Sequence, residues 1–152
     1  MRDAPRREVF PYGIPVIDIK PVIGTNDPTM KFLSIYKTVE TGALPTPEEM
    51  ARIGKLVEDG MKAGFLLAVE GCMPSATGAR VRLSLGKLTV TDGPFIESKE
   101  VIGGLAILQA DSKEAAVELA KQFLHAAGDG ECELRQLFEA DHTAQARTAA
   151  KF

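Results

Sequence analysis

The residues best equipped for chemistry stand together in one stretch, Thr91-Asp92-Gly93-Pro94-Phe95-Ile96-Glu97-Ser98-Lys99-Glu100. Asp-Gly-Pro predicts a sharp turn, because glycine tolerates φ above zero and proline holds φ at about −65°. A loop that folds back there brings Asp92 and Glu97 together, and two carboxylates in unlike surroundings separate in pKa into an acid and a base. Phe95, bulky and apolar directly after the turn, is expected to anchor it. The competing expectation is that Asp92 caps the turn with its side chain while Glu97, Lys99 and Glu100 are solvated.

Other candidates are more isolated. Glu70, in Val69-Glu70-Gly71-Cys72, falls at a strand end where a pocket mouth is plausible. Arg82 lies on the polar alternation of its strand, placed to pair with Asp92 or Glu70 or to hold an anionic ligand with its forked donors. Cys72 has no histidine close in sequence to activate it as a nucleophile. His125 is explained by its place near a helix C-terminus, where a cation suits the helix dipole. Asp141-His142 lacks further ligand spacing, so no metal site is expected. No phosphate-binding loop is present, and Gly103-Gly104 does not fit a dinucleotide fingerprint, so no cofactor is expected. Those two glycines are better suited to close backbone approach or a strand bulge.

Composition narrows the class. A chain of 152 residues with 45% apolar and 26% charged positions is long enough for one domain with a substantial core. Eighteen basic against 21 acidic residues leave a net charge of −3, without the basic footprint of a nucleic-acid binder. No apolar run approaches the roughly 20 residues a membrane span needs. Cys72 and Cys132 form no disulfide framework, and Met1 to Glu8 leads into no apolar segment of a secretory signal. The expected setting is the cytoplasm.

These side chains need elements to position them. Five of nine prolines (Pro5, Pro11, Pro15, Pro21, Pro28) precede Met30, so residues 1–29 read as an extended arm whose apolar Ile14 to Ile19 stretch is expected to pack on the domain or a partner. Lys31 to Tyr36 reads as a buried strand. Thr46-Pro47-Glu48-Glu49 opens a helix through a hydroxyl cap, a proline in the first turn and a glutamate three residues on. Met50, Ile53, Val57 and Met61 form its expected apolar stripe, and Gly64 its end. Phe65 to Val69 follows as a strand, then an alternating Val81, Leu83, Leu85 strand joined to Leu88 to Thr91 by a two-residue Gly86-Lys87 turn. Ile102 to Gln109 is a further strand. Asp111-Ser112-Lys113-Glu114 opens a second helix, and Glu131 to Leu137 closes the domain as a last strand. Residues 138–152 form a tail of undetermined state.

Two β-α-β units on one antiparallel sheet make a ferredoxin-like α+β domain over residues 30–137 with an inserted hairpin. Both helices cover one sheet face. The other face is expected to find cover in a second copy, making a homodimer through the sheet.

The stretch from Thr91 to Glu100 followed by Val101-Ile102-Gly103-Gly104 closely resembles the signature of the DGPF subgroup of YCII-related proteins. Met30-Lys31-Phe32-Leu33, Pro47-Glu48-Glu49-Met50, Gly64, Glu70-Gly71 and Asp111-Ser112 support the resemblance, which spans about Met30 to Leu137. It implies a ferredoxin-like domain dimerising as an α+β barrel. It also implies Asp92 as pocket acid or loop anchor, Glu97 as second carboxylate and Lys99 as their electrostatic partner. Shorter relatives present a histidine and an aspartate in a pocket. This chain has only His125 and His142, so histidine chemistry does not carry over.

The functional expectation is a pocket between sheet and loop lined by Asp92, Phe95, Glu97, Glu70 and Arg82. It would bind a small organic molecule, with Asp92 and Glu97 as acid and base in an isomerisation or elimination. The alternative is a non-catalytic regulatory or interaction module linked to transcription, in which the loop only supports a subunit interface.

Overall fold

The computed structural model describes residues 29–138. The expected arm, apart from its last residue, and the expected tail beyond Phe138 lie outside the described residues. Six strands and two helices follow in the order β1 (Met30–Thr38), α1 (Pro47–Ala63), β2 (Leu66–Gly71), β3 (Ala79–Ser84), β4 (Lys87–Asp92), β5 (Val101–Ala110), α2 (Lys113–Ala127) and β6 (Glu131–Gln136).

Local chemistry accounts for most boundaries. Thr46 accepts from the Glu49 amide while the Glu49 side chain accepts from the Thr46 amide, a reciprocal capping box with Pro47 behind it. Gly64 ends α1 at φ 82°, a left-handed conformation that suits glycine. Ser112 caps α2 by accepting from the Ala115 amide.

Strands β2, β5, β1 and β6 form one antiparallel sheet in that order. This is an α+β arrangement compatible with a ferredoxin-like fold, with β3 and β4 inserted as a separate hairpin. The helices pack on one face, where Ala116 and Leu119 of α2 form a buried core with Phe32, Leu66, Leu108 and Ala110. On the opposite face, register aligns Leu33 with Ile107 and Ile35 with Leu105. Beside them Lys37 binds Glu131 at 3.3 Å and also Glu133, which Arg135 contacts in turn. Among the described residues no element packs on this side, where half-buried Leu33, Ile35 and Ile107 and 37%-exposed Leu105 form an apolar centre bordered by an ion-pair row.

Three expectations need correction. Of the proposed α1 stripe, Ile53 and Val57 are half-buried, but Met50 and Met61 are 62% and 48% exposed. The contact stripe instead runs through Ile53, Leu56, Val57 and buried Gly60, where an added Cβ would lie 2.9 Å from the Phe65 ring. The hairpin turn is Leu85-Gly86, not Gly86-Lys87, because Lys87 pairs with Ser84. Both turn residues have positive φ, 49° and 78°, the handedness that matches strand twist in a two-residue hairpin. Finally, Gly93 does not have positive φ. Its requirement for glycine is steric, since a Cβ there would lie 1.7 Å from the Ser75 carbonyl oxygen.

The hairpin is unusual in what it exposes. Val81 pairs with Val90 and Leu83 with Leu88 on one face, and all four are between 66 and 68% exposed. An isolated two-stranded ribbon is marginal in water without a covered face.

Candidate functional site

Ser75 organises the loop that the sequence singles out. It sits in a single 3-10 turn, Ser75–Thr77, and is buried. Its backbone amide and hydroxyl both donate to the Glu40 carboxylate, and its hydroxyl oxygen accepts from the Phe95 amide at 3.0 Å. Gly93 donates to the Gly78 carbonyl at 2.8 Å, and the Gly93-Pro94 peptide is cis. Arg80 lies 3.9 Å from the centroid of the Phe95 ring, in a cation–π arrangement, and donates to Ser98 at 2.8 Å. Phe95 is thus an anchor, as expected, but its partners Glu40, Ser75 and Arg80 carried no short-range signal.

The hydroxyl and amide of Ser75 hold the Glu40 carboxyl below its ordinary value of 4.5. A lowered folded pKa contributes stability that is present above the unfolded value and lost as pH falls through the folded value. Protection of the Ser75 and Phe95 amides against hydrogen exchange is therefore expected to fall as pH drops below 4.5. Glu40→Gln should remove that acid-dependent step. Protection unchanged down to the folded pKa would show that Glu40 does not hold the loop.

Most of the proposed site residues stand on the exposed surface of the described residues. Asp92, at the end of β4, and Glu97 are exposed. Among the described residues neither side chain makes a hydrogen bond or ion pair, so Asp92 does not cap the turn. Lys99 and Arg82 are likewise exposed, and Arg82 pairs with neither Asp92 nor Glu70; Arg80 takes the engaged position instead. Of Asp92, Phe95, Glu97, Arg82 and Glu70, only Glu70 lines the cavity described next.

A cavity of about 480 Å³ lies elsewhere, between α1, α2 and the sheet. Small residues face it from every side, with Gly54 on α1, Ala120 on α2 and Gly103, Gly104 and Ala106 on β5. Gly54 is exposed, and a Cβ on it would meet nothing within 4 Å, so the α1 wall is open at this position. The glycines of β5 serve their expected purpose. Register shifts opposite Tyr36 and Lys37, leaving Gly103 as the extra residue of a bulge, and a Cβ on Gly104 would lie 2.9 Å from the Glu70 carbonyl oxygen.

The wall is mainly carbon, including Ile53, Val57, Leu119 and Phe123. Its polar side chains are Ser34, Tyr36 and Gln122, and exposed Cys72 and Glu70 are also in its lining. Glu70 is the one site residue named from sequence that borders this space. It pairs with Leu105, whereas neighbouring Val69 packs on the core. Its side chain therefore projects to the opposite sheet face, and its main chain forms the wall. Burial raises the Cys132 thiol above its ordinary value, opposed by a hydrogen bond with Ser34. Among the described residues no group of acidic, histidine or cysteine side chains is spaced to hold a metal.

A family model described as the YCII-related domain matches residues 30–146. The chain is also similar to an uncharacterized protein of Rhizobium meliloti (strain 1021), with 33% identity over 78 residues. That alignment takes in 51% of this chain and 63% of the relative. No helix among the described residues is long and apolar enough to cross a membrane.

Proposed function

This chain belongs to the YCII-related domain family, and on that footing we propose that it is a dimeric, small-molecule-binding protein of the DGPF kind whose ligand lodges between the helices and the sheet. The observation that carries the reading is the carbon-lined cavity of about 480 Å³, within the roughly 300–1,000 Å³ range of small-molecule sites. In this reading Asp92 and Glu97 are solvated groups on a clasped loop, outside the binding space, so binding is better supported than carboxylate acid/base catalysis. The free thiols of Cys72 and Cys132 suit a reducing cytoplasm.

Gly54→Leu is the direct test, because Gly54 is an exposed member of the cavity lining where a larger side chain clashes with nothing and leucine replaces a helix-interior glycine, a gain of about 0.5–1 kcal/mol in propensity. In a thermal-shift screen of small organic molecules, compounds should stabilise the wild type and not Gly54→Leu. A compound retained by Gly54→Leu and lost in Asp92→Ala would return the site to the loop and overturn the cavity reading.

The bare apolar face of the β3–β4 hairpin supports a second reading, the interaction module. In that case the cavity screen yields nothing, and Val81→Lys abolishes partner binding while leaving the melting temperature unchanged.

A further inference from the structure

Gln122 is 7% exposed on α2 and lines the cavity, yet among the described residues its amide has no hydrogen-bond partner. Buried amides are nearly always satisfied, because losing water without replacement is costly. Of the other polar side chains in the wall, Tyr36 already donates its hydroxyl to the Asp129 carbonyl at 3.1 Å. Gln122 is left with both a donor and an acceptor on one planar edge.

We propose that Gln122 is the polar anchor of the cavity's ligand, and that this ligand is a neutral, largely apolar molecule presenting an adjacent donor and acceptor, as a lactam does. The inference rests on the cavity reading above. Neutrality follows from the wall, where no Lys, Arg or His stands to compensate an anion and no carboxylate side chain projects inward to compensate a cation. The carbon lining takes the apolar body, and the amide edge of Gln122 meets a matching amide edge by two parallel hydrogen bonds.

Oxindole and indane share one bicyclic skeleton and differ in the lactam edge, so titrating both by calorimetry isolates the anchor. Wild type should bind oxindole at least about tenfold more tightly than indane. Gln122→Leu, or Gln122→Met should the leucine variant not fold, should bind both equally. Equal affinities in wild type, or a preference that survives both substitutions, would overturn the role of Gln122 while leaving the cavity reading standing. If wild type binds neither compound, the cavity reading fails and the anchor with it.

Discussion

Gly93→Ala is expected to destabilise the protein by about 3 kcal/mol, the scale of severe overpacking against backbone. A Cβ at this position would stand 1.7 Å from the Ser75 carbonyl oxygen and 2.6 Å from its carbon. Both are main-chain atoms, so no rotamer change relieves the overlap. Moving the Ser75 turn outward would pull its hydroxyl from the Phe95 amide and its donors from Glu40, while displacing Gly93 would stretch its bond to the Gly78 carbonyl. Urea unfolding should show a lower midpoint at unchanged slope, and the Ser75 and Phe95 amides should lose exchange protection first. Gly54→Ala is the contrasting control, because its Cβ meets nothing and a helix gains a better former. If Gly93→Ala unfolds within about 0.5 kcal/mol of wild type, as an ordinary surface substitution would, the clasp around Ser75 does not stabilise the domain.

Leu105→Lys is expected to turn the proposed dimer into a monomer, weakening association at least a hundredfold, or roughly 3 kcal/mol. Leu105 lies at the centre of the bare sheet face, opposite Ile35 and beside Glu70. It is 37% exposed although both flanking strands are in place. Covering this centre with the same face of a second copy removes apolar surface from water at about 25 cal/mol per Å². A lysine there would bring a charge into that apolar centre with Glu70 beside it as its partner, and taking both charges out of water in the interface opposes association. Sedimentation equilibrium across the micromolar range should show a wild-type dimer and a Leu105→Lys monomer with equal melting cooperativity. A wild-type monomer throughout would remove the dimer. A substituted protein that still dimerises with wild-type affinity would move the interface off the sheet, with the apolar side of the hairpin as the next surface to substitute.

Much of the secondary structure was legible because its causes are local. The Thr46 to Glu49 box, the Gly64 stop and the Ser112 cap each need only a few consecutive residues. Alternation in β3 and β4 identified a hairpin, although its turn was displaced by one residue. Leu85 is a poor candidate for positive φ, and the cross-strand pairing of Ser84 with Lys87 selected it over that preference. The α1 stripe failed at its ends for a related reason. Helical spacing marks an apolar face, but what stands opposite decides how far along the helix that face is covered.

The candidate site was far less legible. Asp92, Glu97 and Lys99 attracted notice by type and proximity in sequence, yet the loop is held by Glu40 and Ser75, which are 35 residues apart, and by the contact of Ser75 with Phe95 across 20. Gln122 reads in sequence as one polar residue on an amphipathic helix, with no sign that its amide is enclosed.

By itself the sequence determined which segments become helix or strand, where most of them stop, and that two β-α-β units build a sheet with helices on one side. Only the tertiary structure decided where the empty volume falls, which polar groups face it, and which apolar surfaces remain bare. Caps and periodicity act between neighbours along the chain, whereas a cavity is the difference between the space that packed elements enclose and the side chains that fill it. Gly54, Gly104 and Ala120 belong to three separate elements, and they line one cavity only once α1, β5 and α2 are brought together.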